Sequence, residues 1–134
     1  MSGTYYSFNY TSPNVTTLTL IFSFRSDPNY WYLDDVSVTN SSGQQLLSNG
    51  DFEQGSLIHW VYCNPRNATF SGFISSSLVC HGNYCYADGS IGAFDYLSQT
   101  FNVLPNEVYT VQFWLALDSR YIVDMTFAYI TISY

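Results

Sequence analysis

Apolar and polar residues alternate with period two through most of the chain, and helical spacing is absent. Between Thr4 and Thr11, the rings of Tyr6, Phe8 and Tyr10 fall on one face. Between Thr16 and Phe24, Leu18, Leu20, Phe22 and Phe24 share a face, with Thr17, Thr19 and Ser23 opposite. Ser12-Pro13-Asn14 separates these strands with turn chemistry, and Ser26-Asp27-Pro28-Asn29 closes the second before a third at Tyr30 to Val38. The pattern predicts three antiparallel strands in succession. Residues 39 to 45, Thr-Asn-Ser-Ser-Gly-Gln-Gln, have linker composition and mark a boundary.

Beyond the boundary, strands are expected near Leu57 to Cys63, Tyr84 to Ala87, Leu97 to Val103 and Val108 to Leu115. Tyr109, Val111, Phe113 and Leu115 form a core stripe in the last of these. A long run from Tyr121 to Tyr134 is apolar on both faces, with Val123, Met125, Phe127 and Tyr129 on one and Ile122, Ala128, Ile130 and Ile132 on the other. No lysine or proline guards it, so it is expected to be buried, against a partner or as a central strand of its own sandwich. Short strands rich in Thr, Tyr, Phe, Val and Ile, punctuated by Gly, Pro and Asn turns, predict an all-β antiparallel sandwich or jelly roll.

At 134 residues the chain suits one domain with a core of its own. Charged residues make up only 10% and aromatics 19%, which excludes a disordered or coiled-coil chain. The formal charge of -7, with three arginines and no lysine, leaves no basic patch, so nucleic acid and anionic membranes are poor partners. No apolar run approaches the ~20 residues that span a bilayer, so membrane insertion is not expected. Met1-Ser2-Gly3 lacks the basic and apolar regions of a signal peptide. With the extracellular features below, the chain reads as a mature fragment or a slice of a longer precursor.

Asn49-Gly50-Asp51-Phe52-Glu53-Gln54-Gly55, with Trp60 shortly after, resembles the opening motif of carbohydrate-binding modules of the galactose-binding-like jelly-roll type. His81-Gly82-Asn83-Tyr84, Leu97-Ser98-Gln99-Thr100-Phe101 and Tyr109-Thr110-Val111-Gln112-Phe113-Trp114 are similar to that family's central strands. Tyr32-Leu33-Asp34-Asp35-Val36-Ser37-Val38 is similar to its final strand, yet here it precedes the opening motif. The resemblance therefore implies a rotated module. Residues 1–39 stand for the C-terminal half, 40–48 for a linker and the start of the opening strand, and 49–134 for the N-terminal half.

Three readings fit that order: a circular permutant, a cut through a tandem array, or strand exchange in which residues 1–39 of one chain complete the half-module of its neighbour. Exchange joins unlike surfaces and propagates into a fibre unless it closes into a ring. The leading expectation is a non-catalytic, secreted glycoprotein that assembles with itself head to tail as a structural subunit. The alternative is a carbohydrate-binding module that stacks aromatic rings on a polysaccharide, with Trp31, Trp60 and Trp114 as candidates. Trp60 is expected in the core, as the family's opening tryptophan is, which leaves Trp31 as the preferred ligand-binding residue.

Four acceptor sequons, at Asn9, Asn14, Asn40 and Asn67, point to N-linked glycans on water-facing positions and to an extracellular location. Cys63, Cys80 and Cys85 allow one disulfide; Cys63 with Cys80 is preferred, and pairing with Cys85 remains an alternative. Zinc is disfavoured, because three cysteines with His59 or His81 lack paired short spacings. Asp34, taken to share a strand face with Val36 and Val38, would be an inward carboxylate in need of a partner. With no lysine to pair it, a hard cation is a candidate. The resemblance implies a structural calcium between Asp34 and Glu53, its oxygen shell completed by carbonyls near Asn49 and Gly82. Catalysis is not expected: Asp34 and Asp35 diverge on a strand, no nucleophile motif occurs, and Cys80 beside His81 reads as a half-cystine next to a turn histidine.

Overall fold

The structure is a computed structural model that describes residues 3–27, 29–118 and 125–134. These form β1 (Thr4–Thr11), β2 (Thr17–Asp27), β3 (Trp31–Thr39), β4 (Val61–Cys63), β5 (Phe73–Ser75), β6 (Cys85–Asp88), β7 (Asp95–Asn102), β8 (Val108–Leu117) and β9 (Met125–Ser133). One sheet has the order β1-β8-β3-β6-β5 and the other β4-β7-β2-β9, with antiparallel pairing throughout. The two pack as a β-sandwich. Among the described residues, no helix is long and apolar enough to cross a membrane.

β1, β2 and β3 follow one another in sequence, yet none pairs with the next. The turn after β1 carries the chain from one sheet to the other, pinned by Ser12 N–H on Glu107 O (2.8 Å) and Val103 N–H on Thr16 O (2.9 Å). Both sheets consequently contain strands from residues 1–39 and from residues 49–134. β2 lies between β7 and β9, and β3 between β8 and β6, so the two stretches interleave within one chain.

The alternation in β2 is realised as the centre of the core, where Leu18, Leu20, Phe22 and Phe24 are fully enclosed. They meet Val36, Val38, Tyr109, Val111 and Phe113 from the opposite sheet, and Phe22 stands edge-on to Phe113 with ring centroids 5.3 Å apart. Burial of these side chains, at ~1.5–3 kcal/mol each, is the main force that closes the sandwich. Phe52 and Trp60 stack at 5.4 Å and seal one end, and the Trp60 indole N–H donates to Asn49 O (2.9 Å).

Two strands differ from the sequence pattern. β4 begins only at Val61, because Leu57 to Trp60 form a turn closed by Trp60 N–H on Leu57 O, with His59 at a φ of 73°. β5 has three residues, too few to show an alternation.

The disulfide joins Cys80 to Cys85, not Cys63 to Cys80. The turn through His81 to Tyr84 reverses the chain and brings the Cys80 and Cys85 Cα atoms to 5.2 Å, within bridging range. Cys63 belongs to β4, beside β7 in the other sheet, and is an exposed free thiol.

β9 is an edge strand. Its inward residues Ala128, Ile130 and Ile132 pack against the core, while Phe127 and Tyr129 face outward and gather with Phe94. Ile122 and Val123 of the expected strand lie outside the described residues.

Candidate functional site

A row of three residues crosses the five-stranded sheet. Tyr5 of β1 pairs with Trp114 of β8, which pairs with Asp34 of β3. The loop between the two bridged cysteines lays His81 over this row, with its ring centroid 4.4 Å from Trp114 and 5.8 Å from Tyr5. Gly3 lies flat against the Trp114 indole, where any Cβ would collide with the ring.

The β3 ladder slips between Asp34 and Ser37, with Asp35 at a φ of 50°. This bulge breaks the alternation, so Leu33 on one side of it and Val36 and Val38 on the other all reach the core. Asp34 therefore does not share a face with Val36 and Val38, and the inward placement expected of it is corrected by the bulge. It is nonetheless fully enclosed. Its carboxylate accepts the N–H of Asp35 (2.8 Å) and the N–H of His81 (2.9 Å). Burial pushes its pKa up to about 6, against the opposing pull of those two N–H groups.

Asp35 is turned by the bulge toward Tyr5 and His81. The Tyr5 hydroxyl donates to Asp35 Oδ2 (2.8 Å), and His81 Nδ1 lies 2.7 Å from the same oxygen. The hydrogen bond to Asp35 raises the Tyr5 pKa, with desolvation adding to it. Asp34, Asp35 and His81 present three donor atoms within 4.8 Å of one another, the converging group of metal-ligand type among the described residues.

Glu53 holds the same 80–85 loop from another direction. Its carboxylate accepts N–H groups of Asn83 (2.9 Å) and Tyr84 (3.0 Å), and these, led by Tyr84, lower its pKa. It packs so closely on Gly82, whose φ is +67°, that a side chain there would strike the carboxylate. Asn49 is occupied as well: its carbonyl takes the Trp60 indole, and its side chain ties Ser56, Ile58 and Gln54 into one turn. Of the expected calcium ligands, Asp34 enters the converging group and Glu53 does not. Both carboxylates act on the loop through backbone N–H groups. Asp35 and His81 were not anticipated as partners of Asp34, because only the bulge and the loop bring them together.

The remaining residues are scattered. Trp31 is half-buried at 6.3 Å from Phe24, and its indole N–H points to Arg25 O (3.4 Å). It lines an apolar slot rather than standing free. Asn9, Asn14 and Asn67 are exposed. Asn40 is half-buried, and its side chain is engaged with Ser42 and Gln44.

The slot itself opens between β1 and β9. Tyr6, Phe8 and Tyr10 line it from one sheet and Ala128, Ile130 and Ile132 from the other, with Trp31 and Phe113 at its floor. Its larger section has a volume of about 520 Å³. Although these rings point between the sheets, Tyr6 is 46% and Phe8 38% exposed, so the sandwich stays open along this side.

Comparisons with known protein families, curated proteins and solved structures return no match.

Proposed function

We propose that this chain is a non-catalytic, secreted structural module that pairs with a second copy of itself along its β1/β9 side. The observation that carries the reading is that β1 and β9 each pair on one side only among the described residues, and that they flank the open apolar slot. An edge strand offers unpaired N–H and C=O groups to another strand, and natural monomers usually block it with charge, proline or a bulge. Neither β1 nor β9 contains a charged residue or a proline, although the chain carries a net charge of -7. These two strands therefore add no charge of their own to the edge, and they expose the rings of Tyr5, Tyr6, Phe8, Phe127 and Tyr129.

Symmetry shapes the assembly. The opposite edges, β4 and β5, have three residues each and match the long edges poorly. Long edges pair best with long edges, so equivalent surfaces meet and the contact closes on a two-fold axis. A head-to-tail polymer requires residues 1–39 to leave their own sandwich and complete that of the next copy. The Cys80–Cys85 bridge and the four sequons support an oxidising, extracellular setting for either assembly.

Sedimentation velocity across a concentration series tests the reading. Reversible dimerisation is expected, weakened at least tenfold by Tyr129→Lys, which adds charge beside the edge at an exposed position. A monodisperse 15.3 kDa species at every micromolar concentration would end it. Long filaments in electron micrographs would favour strand exchange.

A further inference from the structure

Away from the His81 loop, two carboxyl groups are enclosed between the sheets. Asp88 ends β6 in the five-stranded sheet, Asp95 begins β7 in the four-stranded sheet, and both are 0% exposed. Gly72, whose N–H donates to Asp95, lies against the hydroxyl of Tyr86, which donates to Asp88, so the two carboxyl groups sit within one polar cluster. Tyr86 donates its hydroxyl to Asp88 Oδ2 (2.6 Å), and the Ser90 N–H reaches Asp88 Oδ1 (3.0 Å). From the other sheet, Tyr62 of β4 donates to Asp95 Oδ2 (2.6 Å), as does the N–H of Gly72 (2.9 Å). The hydroxyl of Ser71 bonds Tyr62 in turn. Among the described residues, Asp95 Oδ1 is buried with no hydrogen-bond partner.

We propose that Asp88 and Asp95 share a single proton, and that this proton clips the two sheets together at the β6–β7 crossover. Two carboxylates in contact away from water cannot both ionise, because each desolvated charge raises the cost of the other. A carboxyl hydrogen bond between them needs one proton, and the orphaned Asp95 Oδ1 is the acceptor still without a donor. The pair then completes a chain from Tyr62 through Asp95 and Asp88 to Tyr86 that runs from one sheet to the other. Loss of the proton to solvent leaves two buried charges facing each other, with tyrosine hydroxyls as their nearest donors.

The geometry agrees with the titration, since burial and Asp95 together push the Asp88 pKa up to about 9. A free aspartate titrates near 3.9, so the native state keeps a proton that the unfolded chain has released between those values. This contribution to stability is therefore complete below the unfolded value and falls as pH rises toward 9. In the upper part of that window, above the range in which Asp34 titrates, the folding equilibrium constant should drop about tenfold per pH unit, the slope of one proton.

Infrared spectroscopy of the native protein at pH 7 is the direct test. A protonated carboxyl stretch is expected where ordinary carboxylates are ionised, and Asp88→Asn should remove it. Urea unfolding between pH 6.5 and 8.5 should show the one-proton slope in the native sequence and a flat line in Asp88→Asn, whose amide supplies a donor without a titrating proton. Absence of the stretch from native protein at pH 7, or a native stability that does not fall over this range, would overturn the proposal. Both readouts use the unsubstituted chain, so they stand even if the variant fails to fold.

Discussion

Asp34 stands directly across from Trp114 in the β3–β8 ladder, and the register breaks immediately after it. The enclosed carboxylate accepts two backbone N–H groups, one from the bulge it begins and one from the His81 loop. Replacing it with alanine strands both donors. Asp34→Ala should destabilise the fold by about 2–4 kcal/mol, at roughly 1–3 kcal/mol per buried donor left unpaired and with partial relief from water. Asp34→Asn, which keeps one acceptor oxygen, should cost less. Urea denaturation of the two variants checks the order, and equal stability of both with the native protein would show that the loop is held by other contacts.

The same residue shapes stability in mild acid. Its folded pKa of about 6 lies above the unfolded value near 3.9, so the native state takes up protons as pH falls from 6 to 4. That uptake is a gain in stability on acidification, present in full below the unfolded pKa and lost as pH rises through 6. Glu53, whose pKa is lowered by the loop N–H groups, acts oppositely, its contribution declining as pH falls below its unfolded value near 4.5. The melting temperature should therefore be higher near pH 5 than near pH 6.5, and Asp34→Asn should reduce that difference.

The calcium expected between Asp34 and Glu53 is a proposal that chelation can test. Binding only the native state, it would stabilise by about 3 kcal/mol at a hundredfold excess over its dissociation constant. Melting curves of metal-free protein with calcium and with chelator should separate, and the separation should vanish in Asp34→Asn. Coincident curves would leave Asp34 as an anchor for the loop and nothing more.

One thiol per chain should react with a maleimide in native, unreduced protein, and peptide mapping should place it at Cys63. After denaturation and reduction the count should rise to three. Labelling at Cys80 or Cys85 before reduction would contradict the observed bridge.

In material from a eukaryotic secretory source, glycans are expected at Asn9, Asn14 and Asn67, with lower occupancy at Asn40. The first three side chains are exposed, whereas the Asn40 amide donates to Gln44 Oε1 within its turn (3.1 Å). Mass spectrometry after enzymatic deglycosylation reads occupancy as asparagine-to-aspartate conversion. Equal occupancy at all four sites would show that the turn opens readily before modification.

The strand periods of β1, β2 and β8 were legible because alternation is a local property. Every second side chain of a strand faces the same way, and Leu18 to Phe24 or Tyr109 to Leu115 declare a buried face without reference to the rest of the chain. The all-β sandwich followed from such stripes. Residues 39 to 45 have linker composition, yet the strands before and after them interleave in both sheets. Pairing partners were not legible, since β1 and β2 enter different sheets through long-range contacts that no local pattern encodes. Asp34 shows the limit most clearly: period two assigned it to the face of Val36 and Val38, and a one-residue bulge reversed that assignment. The disulfide turned on the path of the loop from His81 to Tyr84, which spacing alone left open between two pairings. Asp88 and Asp95 are seven residues apart on different strands. Only the folded crossover sets them face to face, away from water, where two acids must share what each would otherwise give up.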